Sequence, residues 1–134
     1  AVEVNCPDPA DALDVLYKVG GLDLAGLAGV FLGGAYHRVP VLIDGFISSA
    51  AALIAASLCP AAKGYMLASH ASNEPAGRMV LEALGAAPFL YAEMCLGEGT
   101  GAVAVMPLLE MGAAVYREMC TFEDTNIEAY QPLT

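Results

Sequence analysis

The chain alternates apolar runs with polar and glycine-rich punctuation, and the period of the runs changes along its length. Leu13, Val15, Leu16 and Val19 recur at helical spacing and predict a short helix over about Ala10 to Val19, with Asp8 placed to cap it and Gly20-Gly21 to end it. A second helix, about Leu22 to Tyr36, is studded with the small residues Ala25, Gly26, Ala28, Gly29 and Gly33. Glycine inside a helix costs about 1 kcal/mol relative to alanine, so this spacing implies close approach to a sheet or another helix. Val39 to Ile43 is a continuous apolar run closed by Asp44-Gly45, the pattern of a strand covered on both faces, with Pro40 near its start. Phe46 to Leu58 predicts a third helix and Tyr65 to Ala68 a second strand. Ser72 is placed to cap a helix over Asn73 to Leu84, with Pro75 in its first turn and Gly85 at its end. Pro88 to Tyr91 predicts a third short strand, and Gly101 to Met119 a last helix kinked at Pro107. Residues 1–9 read as a loop and the tail after Cys120 as polar.

Strands alternating with helices imply βαβ units and a parallel sheet. Two or three strands are too few for a complete doubly wound sheet, so the chain is expected to be the back half of a larger α/β protein. Ligands of such sheets bind outside the carboxyl ends of the strands. Three polar clusters are expected there: Asp44-Gly45, Ser69-His70-Ala71-Ser72, and Gly97-Glu98-Gly99-Thr100.

Composition sharpens this reading. Of the 134 residues, 57% are apolar and 15% charged, against roughly 45–50% and about 25% in average domains. Much of the excess is alanine and glycine, which suits close helix packing and a surface that expects a partner. The net charge is −10, and the cations Lys18, Arg38, Lys63, Arg78 and Arg117 are scattered. That argues against nucleic acid, whose binding needs clustered cations, and against anionic membrane surfaces. Cys6, Cys59, Cys95 and Cys120 lack the close spacing of zinc ligands and read as free thiols of a cytoplasmic protein. Phe46 to Ala62 is the longest uncharged stretch and falls short of a membrane span. No signal-peptide pattern precedes it, since Glu3 and Asp8 stand where a basic region would be.

The segment Leu96-Gly97-Glu98-Gly99-Thr100-Gly101 carries the most specific chemistry. A carboxylate between two glycines can serve as a general base if burial raises its pKa, and Met94 and Leu96 are the apolar neighbours that would do so. The alternative is a solvated loop residue or a helix-capping one. Ser69, His70 and Ser72 form either a ligand-contacting loop or a capped turn; no nucleophile elbow is present. Asp44 either orients a ligand hydroxyl or caps the next helix. His37 and Arg38 read as a solvated edge. Gly97-x-Gly99-x-Gly101 lacks the dinucleotide spacing and the P-loop lysine, although backbone N–H groups at the following helix start could hold an anion.

Four segments, Val39 to Leu53, Ser69 to Pro75, Leu96 to Ala102 and Glu118 to Glu123, closely resemble the nicotinate-nucleotide–dimethylbenzimidazole phosphoribosyltransferases of cobalamin biosynthesis, in that family's order and spacing. The resemblance covers about Asp11 to Asp124. It implies a three-layer α/β/α Rossmann-like parallel sheet, present here only as its C-terminal part with a helical C-terminus, and a homodimeric enzyme. It implies transfer of the 5-phosphoribosyl group of nicotinate mononucleotide to a benzimidazole nitrogen, releasing nicotinate with inversion at the anomeric carbon. The family's base falls on Glu98, an aromatic-pocket position on Leu96, and a substrate-proximal serine on Ser72. Ser69, His70, Asp44, Gly97, Gly99, Thr100 and Gly101 are the further expected substrate contacts. No metal or cofactor is implied. Family members are much longer, and their phosphate-binding glycine loops have no counterpart here. The expectation is half a site, completed by an N-terminal portion or a dimer partner. The contrasting expectation is a non-catalytic module derived from the family, one that binds aromatic bases or serves oligomerisation.

Overall fold

The computed structural model describes residues 1–128 and 130–131. Helix α1 (Val2–Asn5) is followed by α2 (Ala12–Val19), α3 (Leu22–His37), strand β1 (Val41–Ile43), α4 (Phe46–Leu58), a 3-10 turn (Pro60–Tyr65), strand β2 (Met66–Ala68), and helices α5 (Gly77–Leu84), α6 (Thr100–Glu118) and α7 (Phe122–Thr125). β1 and β2 pair in parallel, with Val41 opposite Met66 and Ile43 opposite Ala68. The α/β class and the parallel sheet agree with the sequence reading. The third strand is reduced to one bridge, Leu90 beside His70, in which Leu90 N–H donates to Ser69 O and Ala71 N–H to Leu90 O.

The core lies between α3, α4, α5 and the sheet. It gathers Phe31, Ile43, Met66, Leu81 and Leu84 around seven alanines, among them Ala51, Ala52, Ala55 and Ala56 of α4. Alanine brings backbones close but buries little apolar area per residue, so this core is tight and thin. The small residues of α3 divide by face. Ala28 is buried, whereas Gly26, Gly29 and Gly33 adjoin open space. The close approach occurs at Gly34, where a Cβ would overlap the Val41 side chain and stand 2.9 Å from Val39 O.

Several boundaries differ from expectation for local reasons. The first residues form α1 rather than loop. Asp11, not Asp8, caps α2, accepting from the N–H groups of Leu13 at 2.9 Å and Asp14 at 3.2 Å; Asp8 closes a turn onto Ala10 N–H. β1 starts at Val41 because Val39 N–H is bound to Gly34 O, closing α3, and Pro40 has no N–H. Ser72 does not cap α5. Its Oγ accepts from Glu74 N–H at 3.3 Å in a turn that holds Pro75, and α5 begins only at Gly77. The polar tail contains α7, closed by a capping box between Thr121 and Asp124.

Candidate functional site

The carboxyl ends of β1 and β2 open onto a cleft of about 340 Å³. Asp44 follows β1 directly. Ser69 and His70 follow β2, and Ser69 N–H donates to Ile43 O, so both strand ends are stitched together. The glycine loop before α6 forms the opposite lip. Asp44, His70, Ser72, Leu96, Gly97, Glu98 and Gly99 all line this cleft. Ser69, Thr100 and Gly101 lie outside the lining. Ser69 is fully buried, donating from Oγ to Asp44 O at 3.2 Å and paired with His70 Nδ1 at 3.0 Å. The Asp44 carbonyl can only accept, so satisfying both contacts requires Nδ1–H of His70 to donate to Ser69 Oγ. Thr100 Oγ1 donates to Gly97 O at 2.7 Å. Gly101 is buried against the His70 imidazole, which a Cβ would overlap. The structure therefore gives Ser69, Thr100 and Gly101 supporting contacts within the chain.

The lip has unusual backbone geometry. Gly97, Glu98 and Gly99 take positive φ in succession, at 75°, 54° and 79°. Left-handed backbone costs a non-glycine residue roughly 1–2 kcal/mol, so Glu98 is strained. Asp44 ties the loop to the end of β1. Its carboxylate accepts from Gly99 N–H at 3.0 Å and Ala102 N–H at 3.0 Å. Asp44 thus caps α6 across the fold and not the adjacent α4, whose cap residue is Gly45. The backbone donors at the start of α6 do hold an anion, and the anion is this side chain.

One expectation changes. Glu98 is exposed, and Leu96 is itself 70% exposed, so this chain alone does not supply the apolar surroundings expected of a buried base. Among the described residues, no lysine or arginine lines the cleft. The sequence reading overlooked Leu27 of α3, Phe46, Ile47 and Ser48 at the start of α4, and Glu74 and Cys95, all of which line it. The signal for the α4 residues was available: a helix that starts directly after Asp44-Gly45 opens beside the same strand end.

Among the described residues, no helix is long and apolar enough to cross a membrane. A family model described as phosphoribosyltransferase matches residues 1–127. The chain is 50% identical over 133 residues to the nicotinate-nucleotide–dimethylbenzimidazole phosphoribosyltransferase of Ruminiclostridium cellulolyticum, covering 99% of this chain and 38% of that protein. To the protein of that name from Geobacter metallireducens it is 54% identical over 115 residues, 86% of this chain and 33% of the relative. The crystal structure of the protein of that name from Thermus thermophilus superposes with a TM-score of 0.82 at 41% identity, covering 90% of this chain and 36% of that one. The chain therefore spans well under half the length of these relatives. It belongs to the phosphoribosyltransferase family that contains the nicotinate-nucleotide–dimethylbenzimidazole enzymes.

Proposed function

We propose that this chain is the C-terminal portion of a cytoplasmic enzyme that transfers the 5-phosphoribosyl group of nicotinate mononucleotide to 5,6-dimethylbenzimidazole, giving α-ribazole 5′-phosphate and nicotinate for the nucleotide loop of cobalamin. The observation that carries the reading is Glu98, a strained carboxylate between two left-handed glycines on the lip of a strand-end cleft. Strained backbone concentrates at sites where a side chain must be held for chemistry.

In this reading the unprotonated azole nitrogen bonds to the anomeric carbon as the bond from that carbon to nicotinate breaks. The nicotinate nitrogen leaves with the bonding electron pair. The proton on the other azole nitrogen passes to the Glu98 carboxylate. Alignment of the nucleophile and the base supplies most of the catalysis, because the protein forms no covalent bond itself. Leu96 faces the aromatic base. Ser72 and the backbone of Gly97 and Gly99 approach the ribose and its azole acceptor. A cleft of about 340 Å³ lies within the usual range for small-ligand sites, about 300–1,000 Å³.

The rest of the site comes from further polypeptide, either the N-terminal portion or a second copy. Two observations support this. Among the described residues no lysine or arginine lines the cleft, and a phosphate needs charge-assisted donors. The exposed area is 9375 Å², whereas a compact monomer of this mass exposes about 6,600 Å². The difference matches the scale of an obligate interface. Glu98→Gln tests the assignment in the chain joined to its complementary portion. Turnover should fall about a hundredfold or more with dimethylbenzimidazole affinity within about threefold. Unchanged turnover would remove Glu98 from the role of base.

A further inference from the structure

We propose that Asp44 is a positioning residue, which fixes the Glu98 loop to the end of the sheet instead of binding substrate. The inference rests on the reading of Glu98 as the base. The start of α6 has no cap of its own. Its N-cap is Gly99 and its third residue is Ala102, and neither side chain can accept a hydrogen bond. In a capping box these two N–H groups are satisfied by two local side chains, as Thr121 and Asp124 do for α7. Here a single carboxylate, 55 and 58 positions away in sequence, takes both.

Asp44 is well placed to hold them. It directly follows Ile43, which is 1% exposed and paired in β1, and its main-chain carbonyl accepts from the buried Ser69 hydroxyl. Within the loop the Thr100 amide and hydroxyl hold Gly97 O, but neither reaches β1. A Cβ at Gly97 or Gly99 would meet nothing within 4 Å, so the glycines on either side of Glu98 carry no packing. Without the carboxylate, the loop keeps only the Thr100–Gly97 turn and the Gly101 contact with His70, and Glu98 loses its fixed place on the lip. The same negative charge occupies the helix end at which a substrate phosphate would otherwise dock, so the phosphate belongs elsewhere in the completed site.

Amide NMR on this chain tests the clamp without requiring activity. In Asp44→Asn and Asp44→Ala, hydrogen exchange at Gly99 and Ala102 should quicken about tenfold or more, with the β1 and β2 amides unchanged. Parent-like exchange at both amides in both variants overturns the proposal. Turnover, measured with the complementary portion present, tests the link to Glu98. Asp44→Asn should lower kcat about tenfold, with KM for nicotinate mononucleotide within about twofold, and should add less than about twofold in a Glu98→Gln background. Equal losses in both backgrounds overturn the positioning role. A Glu98→Gln variant as active as the parent sinks the base assignment instead, and the exchange data then judge the clamp alone.

Discussion

Gly101 lies against the imidazole of His70, so closely that a Cβ on residue 101 would overlap the ring. That contact seats α6 on the end of β2, because His70 is 3% exposed and held by Ser69. Gly101→Ala must therefore push the ring or the helix away. The expected loss is about 1–3 kcal/mol of stability, measured by urea denaturation. Gly112, farther along α6, faces open space, so Gly112→Ala should instead stabilise by about 1 kcal/mol. Equal effects at both positions would contradict the packing of α6 on His70.

Gly33 and Gly34 offer the same comparison within α3. Gly33→Ala should stabilise by about 0.5–1 kcal/mol, since its Cβ would meet nothing. Gly34→Ala should destabilise by about 1–3 kcal/mol, because it drives into Val41 and Val39 O. Thermal midpoints should move in opposite directions for neighbouring positions. Movement in the same direction would show that β1 does not approach α3 at Gly34.

One contribution to stability on the acid side arises locally near the N-terminus. Asp14 lies below the ordinary carboxylate value of 3.8, chiefly because Asp8 N–H donates to it and secondly because Lys18 does, with nitrogen and oxygen 2.8 Å apart in each contact. A depressed folded-state value means that this contribution is fully present above pH 3.8 and is lost as pH falls through the folded value. NMR titration should place Asp14 below 3.8. Lys18→Ala should raise it without restoring the ordinary value, because the Asp8 amide is the larger cause. Full restoration would assign the effect to Lys18 alone.

The elements that sequence disclosed are those with local causes. The apolar runs Val41 to Ile43 and Met66 to Ala68, and the glycine stops at Gly20-Gly21 and Gly85, are legible because each acts on its own neighbours. The convergence of Asp44, Ser72 and Glu98 on one cleft was legible from the rule that parallel sheets bind ligands at their carboxyl ends. The partner of Asp44 was not. An aspartate followed by glycine and a helix looks like a local cap, and nothing local reveals donors 55 positions later. The placement of Ser72 failed similarly: serine before a helical pattern suits a cap, yet the Glu74 amide competes for its hydroxyl. The exposure of Glu98 could not be read from Met94 and Leu96, because apolar neighbours in sequence need not cover a side chain; in the proposed reading the covering surface comes from further polypeptide.

The central claim is that this chain holds the base of a phosphoribosyltransferase site whose phosphate-binding half lies in further polypeptide. The most direct measurement is nicotinate release from nicotinate mononucleotide and 5,6-dimethylbenzimidazole, followed with the chain alone and after addition of the complementary N-terminal portion. The account predicts no release by the chain alone and release on addition. Release by the chain alone would contradict the divided site, and no release from the combination would contradict the assigned reaction.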